Sequence, residues 1–188
     1  MFSTKTIAFI LAAASAVVAL PTATVAGRHD YPTETVQLTG TTKQVAVGRG
    51  GVLDYQPFNL FAEVGDIVEF QFGPMNHSVV QSTFDNPCVQ SEGGFNSGFN
   101  FAVQEGVSDQ VFQITVKDTA PIWFFCGQGN HCNQGMVGSI NQNVDSGNTF
   151  DAFKNLATQP GVVTVLGEET NGAIGNGPLP NVRKMDGF

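Results

Sequence analysis

An unbroken apolar stretch, Pro121-Ile-Trp-Phe-Phe-Cys126, opens into a polar, glycine-rich loop and leaves it through Met136-Val-Gly-Ser-Ile-Asn141. Within that loop Cys126, His131 and Met136 fall at two equal steps of five residues. A thiolate, an imidazole and a thioether on one loop between two strand candidates sit on a rigid frame. One further imidazole would complete the donor set of a type 1 copper site, two His and one Cys with a weak axial Met. His77, about fifty residues upstream in Pro-Met-Asn-His-Ser-Val-Val, is the candidate for it.

The rest of the pattern reads as β. Glu34–Leu38 and Lys43–Val47 alternate polar and apolar residues, and Phe58–Val64, Ile67–Phe72, His77–Gln81 and Val111–Val116 follow as strand candidates. Pro121–Cys126 is apolar on both faces, which predicts a central strand, and Met136–Asn141 closes the set. Short strands separated by Gly, Pro, Asn and Asp turns predict an all-β Greek-key sandwich or barrel. Composition agrees: 16 Phe against 2 Tyr and 1 Trp, with 22 Gly, suits a loop-rich protein with an aromatic core. After Val144 the character changes. Phe150–Ala157 predicts a short helix with Asn148 or Thr149 as N-cap. Val162–Leu166 is an edge-strand candidate, and the Gly-, Asn- and Pro-rich residues from Gly167 onward predict a flexible tail.

The start of the chain sets the expected compartment. Lys5, the apolar run Ile7–Leu20 and the small residues Thr24-Val25-Ala26 make a secretory signal peptide over residues 1–26, too short to span a membrane. The expected organisation is therefore a signal peptide, a domain over 27–144 and a C-terminal extension over 145–188. The C-terminus lacks the hydrophobic tail of a lipid-anchor signal, so a soluble, secreted product is expected. The net charge of −8 becomes one unit more acidic when Lys5 is removed. That argues against nucleic-acid partners and anionic membrane surfaces. Cleavage after Ala26 would expose Gly27-Arg28-His29, whose amine, amides and imidazole could hold Cu(II) in a square plane.

Three cysteines in a secreted chain allow one disulfide and leave one thiol. A Cys126–Cys132 bridge would close a tight loop around His131. A Cys88–Cys126 bridge would consume the thiolate. A Cys88–Cys132 bridge would tie the loop after His77 to the loop holding His131 and leave Cys126 free.

The segment from Asp54 to Asn141 resembles a cupredoxin, and is most similar to plant phytocyanins and to fungal extracellular cupredoxin-like proteins often described as serine-rich. Four blocks carry the resemblance: Gly65-Asp66-Ile-Val-Glu-Phe70; Asn76-His77-Ser78-Val-Val-Gln81; Cys88 with Phe95-Asn-Ser-Gly98; and Phe125-Cys126, His131-Cys132 and Gly135-Met136. The resemblance implies that His77, Cys126 and His131 bind one type 1 copper ion with Met136 axial. It also implies a Cys88–Cys132 disulfide. The residues after Val144 have no counterpart in a minimal cupredoxin.

Each assignment has a plainer rival. An isolated His can be a turn residue and an isolated Cys a buried thiol, but their shared spacing with Met136 weighs against both. Met136 could instead be core packing, with a three-ligand site or with Gln134 in the axial place. A structural zinc module would carry Cys-x2-Cys spacing, which is absent. Trp123, Phe124 and Phe125 are expected to keep the site dry, and Met75 to point away from it. Asn76-His77-Ser78 is a glycosylation sequon in form, yet no glycan is expected beside a ligand. A secreted, monomeric electron carrier with an unidentified redox partner is the expected function, without enzymatic turnover, because four protein ligands leave no open position. The alternative is a cell-surface, cell-wall or copper-sequestering protein that does not cycle.

Overall fold

The computed structural model describes residues 40–169 and 172–176. The expected signal peptide, the Gly27-Arg28-His29 motif and the Glu34–Leu38 strand candidate lie outside them. In chain order the elements are β1 (Thr42–Val47), β2 (Tyr55–Gln56), β3 (Asn59–Leu60), β4 (Ile67–Phe72) and β5 (Val80–Ser82). They continue with β6 (Gln110–Thr115), β7 (Ile122–Phe125), β8 (Val137–Ile140), α1 (Phe150–Ala157) and β9 (Ala173–Asn176). Two mixed sheets form a sandwich, one in the order β2-β1-β4-β6-β9 and the other β3-β8-β7-β5. The all-β sandwich predicted from the alternation is what forms. β7 lies between β8 and β5, as its two apolar faces require.

Phe58–Val64 supplies only β3, which pairs in parallel with Ser139–Ile140. Beyond β3 the Asn141 side chain takes over from the ladder: the Ala62 amide donates to Asn141 Oδ1 at 2.8 Å, and Asn141 Nδ2 donates to the Ala62 carbonyl at 2.9 Å. Asp66 plays a similar part at the start of the parallel β1–β4 pair. Its carboxylate accepts from the Thr41 amide at 2.7 Å and the Glu63 amide at 3.0 Å, and Lys43 Nζ lies 3.5 Å away.

Alternation along β7 divides the interior in two. Phe124 faces between the sheets, where Tyr55 and Phe70 meet its ring edge-on at 4.9 and 5.4 Å. Trp123 and Phe125 face outward and pack beneath α1. Only Phe124 therefore shares a cluster with Cys126 and Met136. Trp123 and Phe125, expected beside Phe124 at the site, belong instead to the cluster beneath α1, as the period of two requires. Gly138, opposite Phe124, admits that ring: a Cβ there would lie 2.3 Å from it. Each fully buried Phe contributes roughly 1.5–3 kcal/mol.

Helix α1 spans the predicted residues and Thr149 is its N-cap, accepting from the Ala152 amide at 3.2 Å. Phe150, Phe153 and Ala157 form its buried stripe, and the Phe153 ring lies 4.8 Å from Trp123. After the helix, Val162–Leu166 makes no strand, only a bridge between Val165 and Val89. The tail expected to be flexible from Gly167 contains β9, which pairs with Gln110–Gln113. Main-chain bonding to an open sheet edge needs no apolar alternation, so composition concealed it. Among the described residues no helix is long and apolar enough to cross a membrane.

Candidate metal centre

Three elements converge on one buried point. The loop entering β5 carries His77, the end of β7 carries Cys126, and the turn before β8 carries His131. His131 Nδ1 lies 3.4 Å from Cys126 Sγ and His77 Nδ1 lies 3.8 Å from it. The three donor atoms all fall within 4.8 Å of one another, and all three residues are buried. A metal with N and S bonds of about 2.0 and 2.3 Å at trigonal angles would set N and S about 3.7 Å apart. The observed separations suit such an ion. Among the described residues no fourth His, Cys, Asp or Glu joins the group. A structural zinc site normally takes four such ligands, whereas two imidazoles and a thiolate suit trigonal copper.

The rings are held for this task. His77 Nε2 lies 3.1 Å from the Pro74 carbonyl. A carbonyl only accepts, so Nε2 carries the proton and Nδ1 presents its lone pair toward Cys126. Burial, with His131 adding to it, holds His77 below the usual histidine range, while the Pro74 carbonyl and the Asp54 carboxylate pull the other way. Burial also lowers His131. Both imidazoles are thus disposed to be neutral, as ligands must be. Burial pushes the Cys126 thiol up, against hydrogen bonds from Ser78 and Gln128. A metal entering here must displace that thiol proton.

Ser78 links the two segments that carry His77 and Cys126. Its amide donates to Cys126 Sγ at 3.4 Å, its hydroxyl accepts from the Gly127 amide at 2.8 Å, and its carbonyl accepts from the buried Tyr55 hydroxyl at 2.7 Å. Asn76 Nδ2 donates to Gln128 Oε1 at 2.9 Å. That bond uses one of the two N–H groups on the nitrogen a glycan would need. The bridge between Cys88 and Cys132 is present, with the Cα atoms 5.7 Å apart, and it leaves Cys126 as the free thiol.

Met136 is fully buried and its main chain is tied to both neighbours. Its amide donates to the His131 carbonyl and its carbonyl accepts from the Cys126 amide, each at 3.0 Å. Its side chain belongs to the cluster between the sheets that also contains Cys126. Met75 is 47% exposed, as expected for a residue turned away. Gln134 is exposed on the turn. Two features of the site were not legible in the sequence: Gly48, which lies against the His77 ring, and the bridging role of Ser78. Adjacency to His77 was the only available signal for Ser78. For Gly48 the signal was a glycine-rich strand end, Val-Gly-Arg-Gly-Gly.

A family model described as a plastocyanin-like domain matches residues 58–136. A relative from Arthroderma benhamiae, described as "Probable GPI-anchored cupredoxin-1", is 35% identical over 136 residues, or 72% of this chain and 69% of the relative. A second protein from the same organism, described as "Extracellular serine-rich protein", is 33% identical over 111 residues. That match covers 58% of this chain and 43% of the relative, so the chain spans less than half of its length. Oxidised plastocyanin from Dryopteris crassirhizoma is a solved structure similar to this chain at 18% identity and a TM-score of 0.39, covering 52% of this chain and 97% of that one. Auracyanin A, a "blue" copper protein from Chloroflexus aurantiacus, is similar at 13% identity and a TM-score of 0.41, covering 54% and 97%.

Proposed function

The chain belongs to the cupredoxin family, and from that premise we propose that it is an extracellular type 1 copper protein that carries single electrons. The observation that carries this reading is the convergence of His77 Nδ1, Cys126 Sγ and His131 Nδ1 on one buried point. These three would hold the ion, with the Met136 thioether as the weak axial donor. Copper supplies a one-electron couple there. The protein's part is to keep the ligands still while the charge changes. The Pro74 carbonyl fixes the His77 ring, and the Ser78 amide and hydroxyl hold the thiol and the residue after it. Of the four proposed ligands His131 is the most accessible, at 9% relative exposure. That edge suits electron exchange with a partner at the surface, and no ligand position is left open for a substrate. Secretion is part of the proposal. It is supported by the signal-peptide pattern of residues 1–26 and by relatives described as extracellular and GPI-anchored.

The test is the visible spectrum of the protein loaded with Cu(II). An intense blue band that disappears in Cys126→Ser is expected. A protein that binds copper fully and stays colourless sinks the reading. Reversible voltammetry of the loaded protein then separates a carrier from a protein that only stores the ion.

A further inference from the structure

The segment after α1 crosses the outside of the metal loop. It is anchored on the disulfide loop by four hydrogen bonds, two between main chains and two made by the Gln90 side chain. The Val165 amide donates to the Cys88 carbonyl and the Gln90 amide to the Val165 carbonyl, each at 2.9 Å. The Gln90 side chain then accepts from the Gly167 amide at 2.7 Å and donates to the Glu168 carbonyl at 3.0 Å. Two further contacts reach the metal loop itself. Asn133, the residue after Cys132, donates from Nδ2 to the Val162 carbonyl at 2.6 Å. Leu166 packs on Gly127, the residue after Cys126, so closely that a Cβ on Gly127 would lie 2.6 and 3.0 Å from the two Leu166 methyl carbons.

We propose that Val162–Glu168 is a clasp on the metal loop and that Leu166 is a positioning residue for the Cys126 end of it. The inference rests on the copper reading above. The physical chain is short. Leu166 covers the backbone of Gly127, the Gly127 amide is bonded to the Ser78 hydroxyl, and the Ser78 amide is bonded to Cys126 Sγ. Glycine at position 127 leaves the hollow that the Leu166 methyls fill, and Gly127 is buried. Asn133 does the same work by a hydrogen bond at the other end. The clasp adds no ligand. It limits the excursions of a loop that must keep one geometry in two oxidation states. Leu166 is 38% exposed, so its loss bears on the loop more than on the sandwich core.

Amide hydrogen exchange on the copper-free full chain reads the clasp directly, and transfer of copper from the loaded protein to a chelator reads its consequence. In Leu166→Ala the Gly127 amide is expected to exchange about ten-fold faster, as a local opening does, while Phe70 and Phe112 in the sheet keep their protection. Copper release is expected to quicken by a similar factor, and Leu166→Met to restore both rates. Asn133→Ala is expected to quicken release from the other end with the sheet still protected. Unchanged exchange at Gly127, loss of protection at Gly127 only together with Phe70 and Phe112, or wild-type copper release from Leu166→Ala would each overturn the proposal. If the wild-type protein never develops the thiolate band, the copper reading fails on that result alone, and Gly127 exchange still decides whether the clasp exists.

Discussion

Gly48 lies directly against the His77 ring: a Cβ on Gly48 would come within 2.1 Å of His77 Nε2. Gly48 also has a φ of 66°, in the left-handed region that non-glycine residues enter at a cost of about 1–2 kcal/mol. Gly48→Ala therefore meets two penalties, and the ring can relieve only one, by swinging away from the Pro74 carbonyl. That motion carries Nδ1 away from Cys126. Copper affinity is expected to fall by at least about ten-fold, the equivalent of one modest interaction, while the protein still folds. A competitive copper titration and a melting curve of the copper-free protein check this. Wild-type affinity in the folded variant would show that the ring is not held from this side.

The Cys88–Cys132 bridge closes a sequence separation of 44 residues. In the chain-entropy model a loop of this length is worth roughly 4 kcal/mol, reduced by any native strain. Replacing both half-cystines with Ala is expected to cost about 2–4 kcal/mol in urea unfolding. Because Cys132 follows His131 directly, weaker metal binding should accompany the loss. An unchanged urea midpoint would show that the packing beneath α1 fixes the two loops unaided.

The strands and the site differed in how far the sequence revealed them. The β4 and β7 strands were legible because burial on one face or on both leaves a period that survives in residue types. The step from Cys126 to His131 was legible because one loop carries both, and His77 because only one internal imidazole remained to join them. The β9 strand was not legible. It is held by main-chain bonds to an edge, and Ile174 in it is exposed. The Leu166 contact was hidden for a different reason. It depends on a glycine almost forty residues earlier, and neither residue is unusual where it stands. Sequence pattern reports what is buried along one element; contacts between distant loops leave no period.

Asp66 gives the fold an acid limb. Its carboxyl is held below the usual carboxylate range by the Glu63 amide first, then by the Thr41 amide and hydroxyl and the Lys43 ammonium. A folded-state value below the unfolded one means the stabilisation is complete above the unfolded carboxylate value of about 3.9. It is lost as pH falls through the lower, folded value. Wild-type protein should therefore lose stability below about pH 4, and Asp66→Asn should start less stable at neutral pH and decline less steeply. Urea midpoints for the copper-free proteins across that range decide it. Parallel declines would place the acid sensitivity elsewhere.

Met136 is the proposed ligand whose role a single substitution can isolate. Its backbone is fixed on both sides, by the bond from its amide to the His131 carbonyl and from the Cys126 amide to its carbonyl. Neither bond depends on the side chain. Met136→Leu conserves volume, so the fold should lose less than about 1.5 kcal/mol, and His77, Cys126 and His131 stay where they are. What changes is the thioether. If Met136 Sδ donates axially, its removal takes away a donor that favours the oxidised ion. The reduction potential should then rise and the thiolate band should shift. If Met136 only fills the space between the sheets, the loaded variant should keep the wild-type potential and band. Voltammetry and the visible spectrum of Met136→Leu separate the two. Because the three proposed strong ligands are untouched, a colourless variant is not expected in either case.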